Sequence, residues 1–225
     1  MTDRPILFSA PMVRALLGGR KTQTRRVLSS AAHLQIASAP DLPVSCLHVE
    51  GEKVPRLTLG RVVTIHKLKA AIGDRLWVRE RFLPDPPSDD PSWDDNVCTY
   101  VEWAGCGSRI SDVPPALRAS AYSIYAADPT WNEDSGMVWR PSIHMPRWAS
   151  RLTLIVTDVR VERLQDISEA DAIAEGVPAD FLEHIHGPGG YRDIWDRING
   201  AGAWEANPWV AAYTFTVIPK NIDEA

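Results

Sequence analysis

Hydrophobic and polar positions alternate with a period of two in Arg75-Leu76-Trp77-Val78-Arg79-Glu80-Arg81-Phe82, the pattern of a half-buried strand launched by the Gly73-Asp74 turn. Arg151 to Leu164 is the clearest long strand, and Trp209 to Val217 suits a closing one. Ile6-Leu7-Phe8 predicts a short strand, Lys21 to Leu28 a strand or extended loop, and Leu59 to Ile65, Val97 to Trp103 and Ala121 to Ala126 further extended pieces. Helical signals are fewer. Ser9 offers an N-cap and Pro11 sits near a first turn, so Met12 to Leu17 reads as a brief helix stopped by Gly18-Gly19. Ser168 caps a second helix with Glu169 and Asp171 in its first turn and Gly176 at its C-terminal end, which places Glu175 at the helix terminus. Tyr191 to Ile198 suits a third, with Ile194, Trp195 and Ile198 on its apolar face. Short strands interrupted by small helices predict an α+β, barrel-like fold and argue against a doubly wound sheet.

Composition changes the picture in few places. A chain of 225 residues with 44% hydrophobic and 24% charged residues can bury a substantial core as one elaborated domain spanning 1–225. No apolar run approaches the roughly 18 residues of a membrane span, and the Met1-Thr2-Asp3-Arg4-Pro5 start lacks the basic and apolar regions of a secretion signal, so the expectation is a cytoplasmic protein that does not enter a membrane. A net charge of -5 excludes nucleic-acid coating by bulk positive charge. The cations are nevertheless clustered, as Arg20/Lys21/Arg25/Arg26, Arg75/Arg79/Arg81 and Arg140/Arg147/Arg151, while Asp85, Asp89, Asp90, Asp94 and Asp95 crowd one proline-rich loop. Cys46, Cys98 and Cys106 have no CxxC spacing, and His184 and His186 sit in a glycine-rich loop, so neither a metal nor a cofactor is expected. Nothing in the residues sets an oligomeric state.

The densest chemistry lies in Gly18-Gly19-Arg20-Lys21-Thr22-Gln23-Thr24-Arg25-Arg26, where a glycine pair releases the first helix into cations and hydroxyls suited to a polar or anionic ligand. This segment is similar to the GRKT-x-T-x-R signature of the ASCH domain family, small PUA-like β-barrels related to RNA-binding modules and including N4-acetylcytidine amidohydrolases. Leu164-Gln165-Asp166-Ile167-Ser168-Glu169-Ala170-Asp171-Ala172-Ile173-Ala174-Glu175-Gly176-Val177 resembles the family's strand-then-helix element. Pro141-Ser142-Ile143-His144-Met145-Pro146-Arg147-Trp148-Ala149 and Asn207-Pro208-Trp209 resemble stretches of longer ASCH-like proteins encoded by phages and prophages. The resemblance implies a PUA-like mixed β-barrel with short peripheral helices and two insertions, at about 29–61 and 84–138.

An amide hydrolase needs a nucleophile, an acceptor for its proton and a donor for the departing amine. The resemblance implies Thr24 as nucleophile, Lys21 as the group that activates it or holds the developing oxyanion, and Glu175 as the acid/base. A threonine hydroxyl is unreactive unaided, and a lysine acts as a base only when desolvation or nearby cations lower its pKa, a pressure that Arg20, Arg25 and Arg26 are placed to supply. Lys21 and Thr24 lie an odd number of residues apart and would face opposite ways in a regular strand. Lys21 is therefore expected to belong to the turn after Gly18-Gly19. Glu175 is electrostatically awkward at a helix C-terminus, where cations are favoured, and that argues for a role beyond solvation. Glu80, the rival carboxylate, reads as structural, paired with one of the basic clusters.

Trp139-Arg140-Pro141-Ser142-Ile143-His144-Met145-Pro146-Arg147-Trp148 mixes aromatic faces and cations in a way that would stack a base and grip a phosphate. Trp77, Trp195 and Trp209 are expected in the core, with Trp139 and Trp148 either core or ligand wall. Arg20, Thr22, Arg25, Arg26, Arg140 and Arg147 complete the candidate binding residues for a modified nucleoside or RNA. The leading expectation is a metal-independent amidohydrolase acting on an acylated nucleobase such as N4-acetylcytidine, free or in RNA. A non-catalytic RNA- or nucleotide-binding module and a ribonuclease are the alternatives.

Overall fold

The computed structural model describes residues 2–28, 47–48, 56–58, 62–64, 68–84, 110–113, 115, 118–130, 138–177 and 190–225. They form a mixed α+β structure, with no closed barrel among the described residues. Two compact units share the chain. One takes 1–2, 18–74 and 155–216, and the other takes 3–17, 75–154 and 217–225.

In the first unit, strand β2 (Gln23–Val27) pairs antiparallel with β10 (Trp209–Ile218), and β10 in turn neighbours β9 (Thr153–Arg163). Strand β3 (Leu47–His48) also pairs antiparallel with β9, and β4 (Arg56–Thr58) and β5 (Val62–Thr64) form a separate antiparallel ladder. A 3-10 turn, Leu164–Asp166, leads from β9 into helix α2 (Glu169–Ala174), and helix α3 (Tyr191–Asn199) follows. Leu164, Ile167, Ala172, Val177, Tyr191, Trp195, Trp204 and Val210 pack into one core. Burying an aliphatic side chain such as Leu164 or Val210 contributes about 1.5–3 kcal/mol, so this cluster fixes α2 and α3 against β9 and β10.

In the second unit, β1 (Asp3–Leu7) runs parallel to β6 (Arg75–Arg79), with helix α1 (Ala10–Leu17) following β1. Strands β7 (Phe82–Pro84) and β8 (Ser123–Tyr125) pair antiparallel, and Phe82, Tyr125, Met145 and Ala149 form the local core. The predicted strand from Arg75 to Phe82 is broken after Arg79. The Glu80 backbone N–H points to Met145 Sδ at 3.2 Å, outside the ladder, before β7 begins. Glu80 is buried and its carboxylate is paired with Arg151 Nε at 3.0 Å, the structural role expected of it.

Helix α3 departs from its predicted apolar face. Tyr191 and Trp195, one turn apart, carry the buried stripe, which leaves Ile194 at its flank and turns Ile198 out to solvent. Trp195 and Trp209 are buried as expected, whereas Trp77 is half-exposed on β6, with the Arg79 guanidinium 5.2 Å above its ring. The stretch from Ala121 to Ala126 starts as a 3-10 turn, Ser120–Tyr122, and only then becomes β8. The three cysteines, His184, His186, the acidic loop, the predicted strand Val97 to Trp103 and most of 29–61 and 84–138 lie outside the described residues. No helix among the described residues is long and apolar enough to cross a membrane.

Candidate functional site

Helix α2 ends in a way that dictates where Glu175 points. Ser168 accepts a hydrogen bond from the Asp171 backbone N–H at the start of the helix. At its end Gly176 adopts φ +89°, the Gly176 N–H reaches Ile173 O at 2.8 Å and the Val177 N–H reaches Ala172 O at 3.2 Å. These are the two bonds of a Schellman cap, and Val177 and Ala172 share the core beside it. Glu175 is the last residue before the left-handed glycine, so its backbone is fixed from both sides.

Lys21 meets it there. Gly19, at φ +68°, ends α1, and Lys21 lies beyond the turn expected to hold it: it forms an isolated antiparallel bridge to Glu175 ahead of β2 and keeps the parity of Gln23 and Arg25, opposite to that of Thr24. The neighbouring Thr22 N–H donates to Ala174 O at 2.8 Å, and Thr22 O accepts from the Phe215 N–H at 2.9 Å. Lys21 Nζ donates to Glu175 Oε2 at 2.7 Å and to the Glu175 carbonyl at 2.8 Å. The ammonium thereby supplies the cation that a helix C-terminus favours, which removes the awkwardness of a carboxylate at that end.

Lys21 is fully buried, and this desolvation pushes its ammonium below the usual lysine range. Glu175 opposes the shift, and Arg26 and Arg25 add to it. Arg20, expected to contribute, is exposed and is not among the groups acting on Lys21.

Strand alternation sends Gln23 and Arg25 to the face on which Lys21 and Glu175 meet. Arg25 Nη1 donates to Gln23 Oε1 at 2.7 Å and lies 3.4 Å from Glu175 Oε1, while Nη2 lies 2.6 Å from Glu162 Oε1 and 3.3 Å from Asp171 Oδ2. The reach is set by β10. Ala212 stands opposite Arg25, and its lack of bulk lets the guanidinium extend across the intervening strand to Glu162 on β9, a span of about 10 Å for two strand spacings. Arg160 closes the outer side, 2.6 Å from Asp171 Oδ1 and 3.6 Å from Glu162 Oε2. The Tyr191 hydroxyl donates to Glu175 Oε1 at 3.4 Å, and its burial and the Glu175 charge hold it protonated, well above the ordinary tyrosine value. Burial opposes the charge of Arg25, but Glu175 and Glu162 outweigh it and raise its pKa.

Two of the three expected catalytic residues are therefore in contact although 154 positions separate them. Thr24 is buried on β2 opposite Tyr213, with a parity different from that of Gln23 and Arg25. Thr22 is exposed and Arg26 half-buried. Arg140, Arg147, Trp139 and Trp148 belong to the second unit. There Arg147, cast as a phosphate ligand, is taken up by Asp223 at 2.5 Å and Asp3 at 2.7 Å. Arg140 exchanges backbone bonds with Phe82, and Trp139 and Trp148 are half-buried. Glu162, Asp171, Arg160 and Tyr191 were not among the expected site residues.

Among the described residues no group of three or more His, Cys, Asp or Glu is arranged to hold a metal ion. A buried amine against a carboxylate can pass a proton between them, and a carboxylate between an amine and a guanidinium can hold negative charge in a dry setting. Comparison with protein-family models, with curated proteins and with solved structures returns no match.

Proposed function

We propose that this protein is a metal-independent hydrolase of an amide carried on a nucleobase, with N4-acetylcytidine, free or in RNA, as its substrate class, on a PUA-like core. The observation that carries this reading is the buried Lys21–Glu175 pair, 2.7 Å apart, whose lysine is held below its usual pKa. Proton transfer is the central demand of amide cleavage, because the nucleobase amine leaves only when protonated. In this reading Lys21, once it has shed its own proton, accepts a proton from the attacking water, and Glu175 relays it to the leaving nitrogen. The attack forms a C–O bond to the acyl carbon, and breaking of the C–N bond releases the acid and the nucleobase amine. The resemblance to the GRKT-x-T-x-R signature alone points to Thr24 as a nucleophile; strand parity turns Thr24 away from Lys21, and the geometry supports the Lys21–Glu175 pair.

The nucleic-acid readings draw less support. Arg25 and Arg147, two of the cations they need, are already engaged by carboxylates of the fold. The test offers N4-acetylcytidine as the nucleoside and within a short labelled RNA. Release of acetate and cytidine supports the hydrolase, shortening of the RNA identifies a nuclease, and retention of the RNA without either product identifies a binding module.

A further inference from the structure

We propose that Arg25, anchored on β9 by Glu162, is a positioning residue: it claims one oxygen of Glu175 and so divides that carboxylate's charge between itself and Lys21. The two oxygens of Glu175 have different company. Oε2 lies 2.7 Å from Lys21 Nζ, whereas Oε1 faces Arg25 Nη1 and the Tyr191 hydroxyl, each at 3.4 Å. The guanidinium cannot close further on Glu175 because Nε and Nη2 are both held by Glu162 Oε1, at 2.9 and 2.6 Å, and Nη1 is also held by the Gln23 amide. Glu162 thus sets how much of Glu175 is left to the lysine.

Among the described residues, Lys21 is faced by Glu175 at the end of α2 and by Arg26 and Arg25 from β2, Glu175 also by the Tyr191 hydroxyl from α3, and Arg25 in turn by Glu162 from β9 and Asp171 from α2. Arg25 lies within ion-pair distance of Glu162, Asp171 and Glu175, although Arg26 is the arginine that matches the motif. The consequence for catalysis rests on the reading of Lys21 as proton acceptor: a lysine that owned the whole carboxylate would keep its proton and lose that role.

Two variants give opposite signs. In Arg25→Gln the carboxylate turns wholly to Lys21, and the midpoint of the Lys21 titration, read from its 13Cε shift by NMR in the intact protein, should rise by about one pH unit or more. In Glu162→Gln the guanidinium keeps its charge but is released onto Glu175, and the midpoint should fall. Loosening of the fold alone would hydrate Lys21 and raise the midpoint in both. A fall in Glu162→Gln therefore supports the proposal even where Arg25→Gln does not fold, and an unchanged or raised midpoint in Glu162→Gln overturns it. The titration needs no substrate, so its outcome is independent of whether N4-acetylcytidine is hydrolysed. If it is, the acid limb of the kcat/KM profile should move with the midpoint in each variant.

Discussion

Lys21 and Glu175 are each poorly suited to burial alone, and together they illustrate how a site is held by mutual compensation. Glu175→Gln preserves shape and removes the counter-charge of a buried ammonium. Breaking such a pair by deleting one partner costs about 3–5 kcal/mol, and the ability of lysine to shed its proton places this case near 3 kcal/mol at neutral pH. Lys21 titrates lower in the fold than in the unfolded chain, so between those two values the unfolded chain binds more protons and stability rises with pH. The loss from Glu175→Gln should accordingly be largest near neutrality and shrink toward the ordinary lysine value of about 10.4. Urea unfolding at about pH 7 and about pH 9.5 measures it. A loss that is equal or larger at the higher pH would contradict the buried-ammonium account.

At the scale of elements, helix α2 was the most legible part of the site, because its ends are written in local chemistry: Ser168 at the start, Glu169 and Asp171 in the first turn, Gly176 at the stop. The left-handed conformation of Gly176 costs an L-residue about 1–2 kcal/mol, so Gly176→Ala should lower unfolding free energy by that amount and weaken the Lys21–Glu175 contact it orients. An unchanged midpoint in denaturant would show that the cap does not fix Glu175. Strand β9 was legible as a strand and illegible as part of the site. Asp158, Arg160 and Glu162 alternate with Val159 and Val161, which reads as a solvated face, yet Glu162 is buried beneath Arg25. The signal present in the sequence was three charges of mixed sign at successive same-face positions. Its meaning depended on Arg25 reaching across β10, a relation between segments 137 positions apart that no local pattern carries.

At the scale of the whole molecule, arginine clusters in the sequence carry no sign of their partners. Arg25 and Arg147, from two different clusters, were both expected to bind a ligand, but the chain interleaves two compact units, and each arginine is engaged by carboxylates of its own unit, Glu162 and Asp171 for one, Asp3 and Asp223 for the other. Composition signals cations without their partners, and the partners here come from remote segments. The α+β class was legible because short alternating strands and capped helices are local features. Its division into two units was not, since each unit draws on early, middle and late stretches of the chain.

The account stands or falls on the Lys21–Glu175 pair as proton-transfer machinery. The most direct measurement is kcat/KM for acetate release from N4-acetylcytidine by the wild-type protein, Lys21→Met and Glu175→Gln, each confirmed folded by circular dichroism. Loss of a positioned acid or base costs about 10²–10⁴-fold, and each variant should lose at least that much. Hydrolysis by the wild type that survives within a few-fold in either folded variant would contradict it.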